Sequence, residues 1–174
     1  MKNTKLKPLS KRAIAELETV VSGIEKGKLQ HNQSYIHCGT AHCICGWLEM
    51  RHFASQAKIP MATIKTVEFF DNSPVTSQSE KLLGEYRSQV ADNLNIHTTS
   101  PWWLVVARLG LTRAESYSLF KGSLTIEDIR DTLELLKKGL RNVSNSQWDV
   151  NWIDTTTVDL VINRDDESRV ENNG

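Results

Sequence analysis

The chain has 174 residues, room for one domain of ordinary size with a tail. Its 21 Lys+Arg balance 21 Asp+Glu, and 39% of its residues are apolar. These values exclude a uniformly basic nucleic-acid scaffold and a wholly disordered chain.

The charges are sorted along the chain. Residues 1–12 carry Lys2, Lys5, Lys7, Lys11 and Arg12 and no acid. Residues 148–174 carry Asp149, Asp154, Asp159, Asp165, Asp166, Glu167 and Glu171 against only Arg164 and Arg169. This pattern divides the chain into a basic lead (1–9), a helical domain (10–143) and an acidic extended tail (144–174). The expectation is that the tail folds back over the basic head or a basic face of the body, or meets a basic partner.

In chain order, Ser10 N-caps the first helix and Leu9 staples onto Ile14. Ile14, Leu17, Val20, Val21 and Ile24 form one apolar stripe at helical spacing, and Gly27 stops it. Residues 28–39 read as a polar loop. A second helix is expected from about Thr40 to Ala57. Pro60 and the Asp71-Asn72-Ser73-Pro74 cluster bracket a short segment, Ala62 to Phe70. Residues 77–94 predict a third long helix with Leu82, Leu83, Tyr86, Val90 and Leu94 inward. Ser100-Pro101 opens a short apolar helix that ends at Gly110. Thr112 with Glu115, and Thr125 with Asp128, mark two more helix starts with capping-box spacing. Ile129, Leu133, Leu136 and Leu140 face the core from the last helix. The fold class is therefore mostly α, with about six helices and an extended C-terminal tail. Asp149 to Ile162 alternates partly, and reads as an extended segment laid on the body.

No apolar run approaches the roughly 18–20 residues of a membrane span, and no apolar stretch follows the basic N-terminus. Three cysteines within eight residues make a poor disulfide framework. The expectation is a cytoplasmic protein with no membrane partner.

The chemically densest stretch runs from His37 to Trp47 and contains Cys38, His42, Cys43 and Cys45. On a helix beginning at Thr40, Cys43 shares an apolar stripe with Trp47, Met50 and Ala54. Cys38, His42, Cys45, Glu49 and His52 fall opposite. Cys38, His42 and Cys45 are then candidate zinc ligands, since thiolate and imidazole suit that ion. The fourth ligand must come from His31, His37 or His97, because His52 lies about 10 Å beyond Cys45. The simpler reading is buried thiols in a closely packed helix, with Gly46 admitting another backbone. Cys38 with His42 and an upstream Gln33 also resembles the thiol centre of papain-like cysteine proteases. Such a centre needs a sheet to carry its histidine, and none is predicted, so no catalytic residue is assigned.

Residues 101–122 carry a Leu109-Gly110-Leu111-Thr112 turn between two short helices, similar to a helix-turn-helix, with Arg108, Arg113 and Lys121 as cations. Glu115 sits inside the would-be recognition helix. Trp148 and Trp152, four apart in the acidic tail, are candidate partner-binding residues beside Arg108 and Arg113.

The Cys38-Gly39-Thr40 … Cys43-Ile44 … Gly46-Trp47 core and the Leu109-Gly110-Leu111-Thr112 … Glu115 … Leu119-Phe120 segment resemble a group of uncharacterised small bacterial and phage proteins. Their pattern reads C-G-T-x-x-C-I-A-G-W, then L-G-L-T-x-x-E-A-x-x-L-F. This chain departs from it at Cys45 and Ser116. The resemblance spans roughly residues 10–140 and implies an all-helical fold in a bacterial or phage setting, with no known activity. The functional expectation is a small, non-catalytic regulatory or protein-interaction protein of phage- or plasmid-accessory type. The alternatives are a zinc-binding helical module and a DNA-binding regulator using residues 101–122.

Overall fold

A computed structural model describes residues 4–144, 152–155 and 161–162. In chain order the first elements are β1 (Thr4–Lys5), α1 (Lys11–Glu25), β2 (His37–Cys38), β3 (Ala41–His42), α2 (Ile44–Ala57) and α3 (Met61–Ile64). There follow β4 (Phe69–Phe70), β5 (Ser73–Pro74), α4 (Ser77–Leu94), α5 (Pro101–Leu109), α6 (Arg113–Phe120) and α7 (Ile126–Lys137). Three short strands close the described chain: β6 (Leu140–Asn142), β7 (Trp152–Asp154) and β8 (Val161–Ile162). The domain is mostly α-helical, with seven helices among the described residues.

The helices begin where the sequence supplies a cap. Ser10 Oγ accepts the Ala13 N–H, and both capping boxes, Thr112–Glu115 and Thr125–Asp128, are closed in both directions. Pro101 takes the first position of α5, and Gly110 ends that helix in the left-handed region.

One helix is central. From Ile44 to Met50 every residue of α2 is buried, including Glu49. A helix buried on all sides must sit between others, and α2 packs against α1, α3, α5 and α6. The core joins Trp47, Leu48 and Met50 of α2 to Leu17 of α1, to Leu119 and Phe120 of α6, and to Ile129, Leu133 and Leu136 of α7. Leu82 and Leu94 of α4, expected inward, lie at the exposed edge of their helix, while Leu83, Tyr86 and Val90 are buried.

The start of α2 differs from expectation. Gly39, at φ +58°, turns the chain so that Ala41 and His42 pair back on Cys38 and His37. Cys43 remains extended and caps a helix that begins only at Ile44. The polar stretch before it is thus a small hairpin rather than loop and helix. The segment after Pro60 likewise divides into α3 and a second hairpin, β4–β5. Asp71 and Asn72 turn that hairpin with positive φ at both positions, the conformation a two-residue connection needs. Gly39 and Phe69 exchange both backbone hydrogen bonds, joining the two hairpins.

The tail segment also finds partners. Trp152–Asp154 pair antiparallel with Leu140–Asn142, and Val161–Ile162 pair with Thr4–Lys5 near the basic head. Trp148 lies outside the described residues.

Arginines tie the helices together. Arg130 of α7 reaches Glu18 and Glu25 of α1. Arg108 of α5 binds Glu16 of α1 at 2.5 Å and the Leu48 carbonyl of α2. Arg141 is buried and donates twice to Glu115, at 2.7 and 2.8 Å, and to the carbonyls of Lys7 and Gly110. Glu115 also accepts the backbone N–H groups of Thr112 and Asn142. A buried pair this well satisfied tolerates its desolvation, but removing one partner strands the other.

Arg141→Met is therefore expected to cost about 3–5 kcal/mol in urea unfolding. Adding Glu115→Leu should recover only part of this, because that change also removes the cap of α6. Gly46→Ala is a second sharp test. A Cβ there would overlap the Ile36 carbonyl oxygen of the neighbouring chain segment, so the variant should unfold well below the native protein.

Candidate functional site

The two hairpins form a small layer over the N-terminal end of α2. Side chains alternate across it. His37, His42 and Phe69 face inward and are buried, while Cys38, Phe70 and Val75 face out.

Beneath the layer lies a chain of polar groups. Glu49 of α2 receives Arg87 of α4 in a bidentate pair, Nε to Oε1 at 2.6 Å and Nη2 to Oε2 at 2.9 Å. His37 Nε2 donates to Glu49 Oε2 at 2.7 Å, and His37 Nδ1 lies 2.9 Å from His42 Nδ1. Phe69 stacks on the His37 ring, and Trp47 meets the His42 ring edge to face. Burial alone would raise the Glu49 pKa. The hydrogen bonds and charges of Arg87 and His37 outweigh it and hold the carboxyl down at about 2. Burial, reinforced by His37, pushes the His42 pKa down to about 3, so this ring is neutral at pH 7.

Proton placement follows. Glu49 is ionised, so His37 Nε2 must carry a proton. A single proton joins the two Nδ1 atoms. If it belongs to His42, the His42 Nε2 is a bare acceptor; if it belongs to His37, the His42 Nε2 carries the only proton of that ring. In either arrangement His42 Nε2 is a buried nitrogen without a hydrogen-bond partner among the described residues. The cluster is chemically a carboxylate–imidazole–imidazole relay that ends inside the protein.

The structure separates the three candidate zinc ligands. Cys38 is exposed on β2, His42 turns its Nδ1 to His37, and Cys45 is fully buried. Burial, and then the hydrogen bond it gives to Cys43, raise the pKa of the Cys45 thiol; the same bond, with the backbone N–H of Gly46, lowers that of Cys43. The expected spacing of His42 and Cys45 on one helix face does not apply, since His42 precedes the helix. No group of three or more His, Cys, Asp or Glu side chains among the described residues is placed to hold a metal ion. Cys43, read from sequence as core, is buried and also caps α2. Gln33 is a fastener, donating to the carbonyls of Leu119 and Lys121.

The helix-turn-helix candidate is also placed. Arg108 points inward, and Arg113 lies over the Tyr117 ring on the surface. Ala114, Glu115, Ser116, Leu119 and Phe120 of α6 are buried, which leaves little of that helix to enter a groove. Glu115 faces Arg141 rather than solvent. Trp102 donates to Ser116 Oγ and packs edge to face on Phe120, so it serves the core.

The Glu49–Arg87 pair, the inward layer of His37 and His42, and the hairpins themselves carried no local sequence signal. Comparison with family models, characterised proteins and solved structures finds no match for the chain.

Two measurements test this geometry. In the folded protein Cys38 should react with a thiol reagent within minutes, and Cys43 and Cys45 only on unfolding. The pH dependence has a definite sign. His42 binds a proton more weakly folded than unfolded, so its stabilisation is complete above pH 6.5 and lost as the pH falls towards about 3. His52, lowered by burial to about 4, acts in the same direction, and Glu49 adds its share below pH 4.5. Between pH 6 and 4.5 the two histidines should give a slope of about 2–2.5 kcal/mol per pH unit, and His42→Phe should take away about half of it.

Proposed function

We propose that the protein is a non-catalytic interaction module that docks an apolar, basic segment of a partner protein on the outer face of its two hairpins. The observation that carries this reading is Phe70, which is 76% exposed on a rigid hairpin rather than on a loop. An aromatic ring held out of the core by a supported backbone is a ready interface anchor. Val75 is 61% exposed on the same face, because Phe70 pairs with Ser73 and the Val75 N–H bonds to the Glu68 carbonyl. The Gly39–Phe69 register places the exposed Cys38 opposite Phe70, extending the patch onto the neighbouring hairpin.

The charge around the patch selects the partner. Residues 66–80 contain Glu68, Asp71 and Glu80 and no Lys or Arg; the flanking cations are Lys65 and Lys81, the latter paired with Glu85. An acidic rim round an apolar centre favours a segment that combines aliphatic or aromatic residues with Lys or Arg. The nucleic-acid alternative is disfavoured by the same rim, and by the inward use of Arg108. A regulatory role follows if the partner is an enzyme or a transcription factor of the host cell or element.

A displayed peptide library panned on the purified protein tests the proposal. Retained peptides should be enriched in Lys or Arg beside apolar residues, and should bind more weakly at higher salt. Phe70→Ser with Val75→Ser should reduce binding at least tenfold while leaving the circular dichroism spectrum and unfolding transition unchanged. Retention that is indifferent to both substitutions would remove this face from consideration.

A further inference from the structure

We infer that the cleft between α1, α2, α4 and α5 is a binding site for a small organic monoanion, a carboxylate carrying a short apolar body. The cleft holds about 320 Å³, the lower end of the range of small-molecule sites. It lies away from the hairpin face.

Its polar groups divide by role. Glu16 is already neutralised, since its Oε2 takes Arg108 Nη1 at 2.5 Å. Arg108 spends its other terminal nitrogen on the Leu48 carbonyl. That leaves Arg12 as the excess charge. It stands at the rim, its side chain 78% exposed; its Nε reaches Glu16 Oε1 at 3.3 Å, and its two terminal nitrogens make no hydrogen bond among the described residues. They form the fork that a carboxylate fits bidentately. Ser10, at the start of α1, adds a hydroxyl proton and the positive end of a 15-residue helix.

Neutral donors line the rest. His52 Nδ1 lies 2.7 Å from the Tyr86 hydroxyl, a contact that fixes both rings across the cleft. Burial keeps His52 uncharged at neutral pH, so it offers direction without adding charge. The formal charge of the lining is then one positive unit: Arg12 and Arg108 against Glu16. Val90, Leu94 and Leu109 supply the apolar wall, with Leu94, the last residue of α4, 37% exposed at its edge. One cation, several neutral donors and an aliphatic wall match an acid with a short hydrocarbon part. An inorganic polyanion would leave the wall unused.

Titration of the full chain with hexanoate, hexanamide and inorganic phosphate, followed by NMR, tests the inference. Hexanoate should produce saturable shifts at the Leu94 methyls, the His52 ring and the Arg12 Nε–H. Hexanamide should bind at least tenfold more weakly. Arg12→Gln should cost hexanoate a similar factor with the rest of the spectrum preserved, while Phe70→Ser should change nothing. The inference is overturned if no carboxylate-dependent shift saturates. It is overturned equally if Arg12→Gln binds as well as the native chain, or if phosphate matches hexanoate without moving Leu94.

Discussion

The structure depends on one buried carboxylate. Glu49 sits on the most enclosed helix, with 1% of its surface exposed, and a charge there is untenable without partners. It finds them on two other elements: Arg87 of α4 and His37 of β2. The bonds are short and fill both oxygens, so the attraction exceeds the desolvation cost. The consequence is geometric. α4 and the hairpin layer are positioned by the same two oxygen atoms, and neither can shift without exposing the charge. His42 and Phe69 then pack against His37, and Trp47 against His42, and the outer face of the layer inherits that rigidity.

The same logic governs the other arginines. A guanidinium with five donors can gather several acceptors at once, which lysine cannot. Arg108, Arg130 and Arg141 each collect groups distant in sequence, and none is spread over the surface as a phosphate contact would require. A basic residue in a helix-turn-helix-like stretch is therefore a poor sign of nucleic-acid binding when a carboxylate or orphan carbonyl lies within reach. Glu115 illustrates the complement. Its capping box is a local device, yet the same carboxylate also binds Arg141 from the far end of the domain.

What was legible in the sequence is what is local. Ser10, Thr112 with Glu115, Thr125 with Asp128, Pro101 and the glycines at 27 and 110 announce helix ends through bonds spanning four residues or fewer. Gly46 was legible as a close approach because Cys43 and Trp47, on either side of it, read as core. The hairpins were not legible, since a two-residue strand has no alternation to detect and its partner is chosen by turns at Gly39 and Asp71–Asn72. Thr40 to Cys43 therefore read as the first turn of α2. The Glu49–Arg87 pair bridges 38 positions, and neither residue announces the other. Cys38, His42 and Cys45 look like a ligand set only while they are assumed to share a helix; the β turn at Gly39 sends them to three different environments.

Two rungs connect α2 to α4: Glu49–Arg87 and, three residues further along α2, His52–Tyr86. The first supports the hairpin face, and the second spans the cleft beside Arg12. Phe53 packs edge to face on Tyr86 and stiffens the second rung. A displacement of α4 along α2 therefore strains both rungs together, because both bonds are already short, at 2.6 and 2.7 Å. The hairpin face and the cleft are mechanically one unit held from opposite ends. This is why the outer layer, built of two-residue strands that have no stability of their own, can hold Phe70 in water at a fixed position.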